Sequence, residues 1–506
     1  MSTLQETGSS SPKIERTARR LSAYFTGQVI VKLLYIPGIV LATRATGPSG
    51  WGLVTAAISV AFILSTGINL GLNPYLTREV AAGRVPVARL IAATTRLRIV
   101  SSALFVLVLP LVLVPTISGV GKIVVAGVAG YILADSWAKY YFALLRGAEN
   151  TRFEILGANV EKGVFVVVAA LAFAMASRVD PVNVVVAGFA LAALTKLGIG
   201  VYGASRVLPP SALPLGRVLK SPRLVKLWHR DLRYVRESAD FLFMAMFTII
   251  YFRVDAYMVA ALRGVEEAGY YGAAYRLVEG LLFAPESVLV VFSPLLVKAL
   301  SGVTRSESSD VVHSNVVNQV AALQVAVAGP IGLGLVLEHE WITSVLYGPE
   351  FDPAARVLLW LAPAYVFMSL NFLAGGLLTA AYLQRALLLI SGFAAISNVL
   401  LNLALIPKYG AIGAVAATVA TEAAVGAGML LKLAGRLPSS WIWRPIGVAS
   451  AYFAVMVVAP NVLLHGYLPF SGRLGVGLLS TGVYLGVLVW RGLIPNPLRP
   501  REPEVR

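Results

Sequence analysis

The residues with the chemistry to act are charges set inside long apolar runs. Lys32 lies in the run 21–43, Asp135 and Lys139 in 122–143, Glu161 and Lys162 in 154–176, and Lys196 in 183–203. Arg253 and Asp255 lie in 237–262, Arg276, Glu279 and Glu286 in 269–296, and Glu422 in 411–431. A charge at mid-bilayer costs at least ~2.5–3.5 kcal/mol on insertion scales, so such residues face a partner or a hydrated cavity. Cations facing a cavity would hold an anionic cargo; buried carboxylates would pair with them or carry a coupling ion. Asp135 and Lys139 stand at i, i+4 on one helix face and can pair. Arg253 and Asp255, two residues apart, point about 200° from each other and do not both face one cavity. Arg276, Glu279 and Glu286 lie along one stripe. The candidate cavity cations are therefore Lys32, Arg253, Arg276 and Lys139, with Arg78 at the membrane boundary as a gate for phosphate or a plain positive-inside anchor. The candidate coupling or pairing carboxylates are Asp135, Glu161, Asp255, Glu279 and Glu422. Each charge has a structural alternative, an interhelical ion pair or a side chain snorkelling to the interface, which suits Lys162 and Lys196 best. Asn69, Asn398 and Asn402 are expected to make polar contacts between helices or toward a cavity.

No catalytic or metal-binding set accompanies these charges. The chain has no cysteine, and its four histidines show no ligand spacing. There is no GxxxxGK[ST] and no HExxH. A membrane glycosyltransferase would need an acidic metal-binding motif on an outer loop. The first such loop, Ala45–Ser49, holds no acid, and Glu338–Asp352 holds no tight D-x-D pair. The expectation is a transporter rather than an enzyme, without cofactor, driven by an ion gradient (H+ or Na+), the membrane potential or downstream consumption of the cargo.

The elements that must position the charges are membrane helices. Of 506 residues 58% are hydrophobic and 13% charged, more apolar surface than a soluble chain of this size could bury. The pattern predicts an all-α polytopic protein of about fourteen spans: 21–43, 50–72, 97–115, 122–143, 154–176, 183–203, 237–262, 269–296, 316–336, 355–380, 387–405, 411–431, 445–464 and 473–490. With alternating spans, 29 Lys and Arg fall on the side of the N-terminus and 7 on the other, which predicts cytoplasmic termini in a cell-membrane protein. The net charge of +17 then reflects loops facing anionic lipid heads, and no nucleic-acid partner is expected. A basic N-terminus (1–20) leads into a six-helix lobe (21–203). A linker (204–236) starts Pro-rich and ends in an amphipathic basic stretch, 222–236, read either as a helix on the cytoplasmic leaflet or as a solvated linker. A second six-helix lobe (237–432), two extra helices (445–490) and a tail (491–506) follow. The lobes are pseudo-symmetric. Residues 50–78 shifted by 220 fall on 270–298, with Trp51-Gly52 over Tyr271-Gly272, Pro74 over Pro294 and Arg78 over Lys298.

Five stretches, in order, carry a resemblance: GPSGWGLVTAAIS, GINLGLNPYLTREVA, RVDAYMVAALRGVEEAGYYGAAYRLVEG, LYGPEFDPAARVLLWLAPAYVFMSLN and NVLLNLALIPKYGAIGAVAATVATE. Together they resemble the polysaccharide transporter and oligosaccharide flippase family of the multidrug/oligosaccharidyl-lipid/polysaccharide exporter superfamily. That resemblance implies two lobes around a central cavity open alternately to either side, and a lipid-linked oligosaccharide as cargo. The polyprenyl or dolichyl phosphate or pyrophosphate head would sit on cavity cations while the lipid tail stays in the bilayer. It implies membrane lipids and glycan assembly enzymes as partners of a monomeric flippase serving cell-surface polysaccharide or glycoprotein assembly. The alternatives are an ion-coupled multidrug exporter of the same superfamily, which would prefer cationic cargo and an acidic cavity, a membrane glycosyltransferase or polymerase, and a non-transporting assembly subunit.

Overall fold

The structure, a computed structural model, describes residues 12–83, 86–208, 224–301, 307–434, 447, 450–451, 453–464, 466–491 and 493. Of 12–33, 224–230, 301, 307–315, 456, 460 and 461 the backbone alone is described. The Lys32 side chain, the Pro-rich start of the linker, half of residues 445–454 and most of the tail therefore lie outside the described residues. Among those described, eleven helices are long and apolar enough to cross a membrane. The chain divides into two compact units, Met1–Gly269 and Tyr270–Arg506.

The first unit opens with α1, Pro12–Asn69, which joins two spans across a bend at Gly47 (φ 65°, ψ 178°). It continues with α2 (Leu72–Ala82), α3 (Val87–Thr116), α4 (Lys122–Gly147), α5 (Arg152–Ala174) and α6 (Pro181–Val207). Then come α7 (Leu224–Glu237) and α8 (Ala239–Arg263), parted by Ser238 alone. α4, α5 and α6 pack on one another and on α1, and α8 also packs on α1. Lipid gives no hydrophobic drive between helices, so close approach must come from small residues. The tightest approach here is backbone against backbone. A Cβ on Gly52 would lie 1.6 Å from the Val265 carbonyl oxygen, and one on Gly269 would lie 1.9 Å from that of Pro48. This crossing ties the segment after α8 to the start of the second span and keeps α8 within the first unit.

Two local departures from the sequence reading matter for the site. First, α3 begins at Val87, ten residues before the expected 97, because Leu90, Ile91, Thr94 and Leu97 extend its buried face. Arg96, just before the expected span, and Arg98, at its second position, thus both lie well inside the helix. Second, the two repeat copies break at different places. The first breaks at Leu70 and Gly71, both left-handed (φ 49° and 68°), and Pro74 falls in the first turn of α2, where its missing N–H costs nothing. In the second copy the break is at Leu282, and Pro294 lies inside a helix.

The second unit takes in most of α9 (Val265–Leu281), then α10 (Phe283–Ser301), α11 (Glu307–Leu337), α12 (His339–Tyr347) and α13 (Asp352–Ala380). α14, Gln384–Ala434, again joins two spans, turning at Gly410 (φ 59°, ψ −137°). Along it Leu389, Phe393, Ile396, Leu400 and Leu403 are exposed at helical spacing, while Ala394, Ala395, Asn398 and Asn402 are buried, so one stripe meets lipid and the other meets α13. After α15 (Ala459–Leu464), α16 (Phe470–Trp490) packs Tyr484 and Leu488 onto Ala322, Val325 and Ala326 of α11. Its start is fixed by Arg473, which donates to both oxygens of Glu338 at 2.8 and 3.0 Å, and by Phe470 stacked on Trp341 at 3.8 Å. Arg473→Ala should loosen the first turns of α16, at a cost of about 1–2 kcal/mol for a half-buried bidentate pair. Faster amide exchange confined to α16 and α12 would be the readout, and unchanged exchange there would rule out that anchoring role.

Candidate substrate site

In the first unit α4, α5 and α6 bring five charges into one cluster. Lys196 of α6 is nearly buried and donates to Asp135 Oδ1 of α4 at 2.7 Å and to Glu161 Oε2 of α5 at 3.0 Å. Asp135 Oδ2 takes a second ammonium, Lys139, at 2.7 Å, and Glu161 Oε1 takes Lys162 at 3.3 Å. Three ammonium groups thus meet two carboxylates. Buried ions must be paired and hydrogen-bonded to offset their desolvation, and here both carboxylates use both oxygens. Asp135 is consequently shared. Lys196, held between two acids, takes half of it, and Lys139 retains a side chain 48% exposed.

Beside this cluster stands Phe62 of the second span. Lys139 Nζ lies over its ring at 5.6 Å from the centroid, and Arg253 Cζ of α8 lies over it at 5.4 Å. Both faces of an aromatic ring attract cations, so Phe62 collects two positive groups around one ring without neutralising either. α4 and α8 are 114 residues apart along the chain at these positions, and only the packing of both against α1 makes them neighbours.

A second polar group lies in the same unit. Arg98 of α3 is fully buried. It donates to Asn69 Oδ1 at 2.6 Å, to Asn73 Oδ1 at 3.2 Å and to the Ser136 carbonyl, and lies over the Tyr140 ring at 5.1 Å. Asn69 and Asn73 flank the Leu70–Gly71 break, so Arg98 clamps that break from one side. From the other, Ser238 Oγ donates to the Leu70 carbonyl at 2.8 Å. The sequence reading missed Arg98. The signal that could have found it is the apolar periodicity of α3 running back to Val87.

The remaining sequence candidates are placed as follows. Arg78, on α2, is half exposed, pairs with Glu79 at 3.0 Å, and lies over Tyr75 and Phe241. Asp255 is buried in α8. In the second unit Arg276 pairs with Glu279 at 2.7 Å, and Glu422 accepts from Asn371 Nδ2 at 2.6 Å. Asn402 donates to Asn398 at 3.0 Å, one turn apart on α14. Of the candidate cations, the structure brings Lys139 and Arg253 together.

The bundle of long apolar helices and its internal charges define the class, a multi-pass membrane protein with a transporter fold. Solved structures agree. The lipid II flippase MurJ, in an inward closed conformation, superposes with a TM-score of 0.70 at 12% identity, over 93% of this chain and 99% of that one. An inward-facing multidrug resistance MATE family transporter of the MOP superfamily gives 0.53 at 14% identity, over 83% and 96%. A MATE transporter from Vibrio cholerae gives 0.51 at 13% identity, over 83% and 98%. No curated protein sequence matches. The polysaccharide biosynthesis protein family model matches residues 18–299, more than half of the chain, and the protein belongs to that family.

Proposed function

We propose that the protein is a flippase that carries a lipid-linked oligosaccharide from the inner to the outer leaflet by alternating access. The phosphate or pyrophosphate head rests against Lys139 and Arg253, and the polyprenyl or dolichyl tail stays in the bilayer. The observation that carries this reading is the pair of cations over one ring, with Asp135 shared between Lys139 and Lys196 at 2.7 Å each. The polysaccharide biosynthesis family and the flippase-like fold support a glycan-bearing lipid as cargo. The excess of Lys and Arg on one side supports cytoplasmic termini in a cell membrane. Transport draws on an H+ or Na+ gradient, and cargo passes between glycan assembly enzymes on the two sides.

The test reconstitutes the protein in liposomes with a fluorescent polyprenyl-phosphate oligosaccharide and follows the cargo's exposure to an outer-leaflet quencher. Protein-dependent exposure of the phosphate-bearing lipid, without exposure of a neutral glycolipid carrying the same sugar, is the expected result. Efflux of cationic dyes with no movement of either lipid would replace this reading with that of a drug exporter.

A further inference from the structure

We infer that α7 is a docking surface for anionic phospholipid headgroups, seated on the leaflet from which α8 enters the membrane. Its charges are sorted by the fold. The helix carries two acids, Asp231 and Glu237; the first is buried, and the second, though exposed, is engaged by a hydroxyl of α2. Asp231 is buried and receives two hydrogen bonds from Arg96 of α3, at 2.7 and 3.1 Å. Glu237 accepts the Tyr75 hydroxyl of α2. The four bases of α7 are Lys226, Arg230, Arg233 and Arg236. Of these, Arg233 and Arg236 have described side chains, and both are exposed. Arg233 Nη2 donates to Tyr234 Oη at 2.7 Å, and a guanidinium so engaged keeps further N–H groups for a phosphate. Among the described side chains of α7, the exposed charges are therefore Arg233, Arg236 and Glu237, and Glu237 already accepts from Tyr75, which leaves the outward face net cationic.

Position selects the partner. One residue, Ser238, separates α7 from the membrane-spanning α8, and Ser238 is fully buried with its hydroxyl on the Leu70 carbonyl. Gly71 closes the same joint. A Cβ there would lie 2.5 Å from both the Ser238 oxygen and the Leu242 nitrogen. Tyr234, buried against Tyr75, adds an apolar anchor. The C-terminal end of α7 is thus fixed against the start of the membrane-spanning α8. Leu232, exposed beside Arg233, supplies the apolar contact an interfacial helix makes with the headgroup boundary. Arginines near an anionic surface each favour the seated state about five-fold, which is roughly 30-fold for two.

The chain contains no cysteine, so a single Leu232→Cys in the full-length protein can carry an environment-sensitive fluorophore. The labelled protein is placed in nanodiscs of phosphatidylcholine alone or with phosphatidylglycerol, and quenching by neutral acrylamide is measured. Anionic lipid should lower the quenching constant at least ~2-fold, high salt should reverse this, and R233E/R236E should abolish it while R233K/R236K keeps it. Equal quenching in both lipids would overturn the inference. So would a lipid dependence that survives charge reversal, or protection obtained with an acidic polypeptide but not with phosphatidylglycerol.

Discussion

Lys196→Met is expected to destabilise the first unit by about 3 kcal/mol, near the lower end of what removing one partner of a buried ion pair costs. The side chain is nearly isosteric and apolar, so packing changes little. What is lost is the ammonium between Asp135 and Glu161. Both carboxylates stay buried, each with one remaining cation and one oxygen without its partner. A triple variant, K196M/D135N/E161Q, removes the charges together with the cation and should recover most of the stability, because replacing a whole buried ionic group is near neutral. Thermal unfolding in detergent measures both. Equal melting of K196M and wild type would show that Lys196 is not the centre of the cluster. The same substitution has a second consequence for transport. With Lys196 gone, Asp135 belongs to Lys139 alone, and the site loses much of its attraction for an anion even in molecules that fold.

Gly52→Ala is expected to cost at least ~3 kcal/mol and to abolish the folded first unit at ordinary temperature. The added Cβ would meet the Val265 carbonyl oxygen, the Val265 carbonyl carbon and the Gly269 nitrogen, all main-chain atoms that cannot rotate aside. Relief requires the segment after α8 to part from the second span. That same contact brings α8, and with it Arg253, to Phe62. Gly163→Ala in α5 is the control, since nothing lies within 4 Å of its added methyl. It should be neutral or stabilising by up to ~1 kcal/mol from helix propensity. Size-exclusion profiles and melting curves separate the two. A Gly52→Ala protein that elutes and melts like wild type would show that the backbones do not cross there.

What could be read from the sequence follows from what is local. Apolar runs of span length are unmistakable, so the all-helical polytopic fold and most spans were legible. The i, i+4 spacing also gave the Asp135–Lys139 pair, which the structure has at 2.7 Å. The site needed more than local spacing. Lys196 reaches Asp135 across 61 residues, and Arg98 reaches Asn73, Asn69 and Ser136 across 25, 29 and 38. No periodicity encodes such pairings; they arise from which helix faces meet. Phe62 was invisible for another reason. An aromatic ring in an apolar run has nothing in its spacing to distinguish it, and it acquires a role only when two cations settle over it. The start of α3 was misplaced because a pair of arginines in RLRIV reads as a loop boundary. Arg96 serves Asp231 near one end of α3, and Arg98 lies buried one half-turn further.

The central claim is that Lys139 and Arg253 together hold an anionic head group. The most direct measurement is the flipping rate of a fluorescent polyprenyl-diphosphate oligosaccharide in liposomes containing wild type or K139Q/R253Q. Each position loses a charge-assisted contact, so the double variant should flip this cargo roughly 100-fold more slowly or worse, while melting close to wild type because Asp135 keeps Lys196. A well-folded K139Q/R253Q protein that flips within about two-fold of wild type, less than one such contact is worth, would contradict the account.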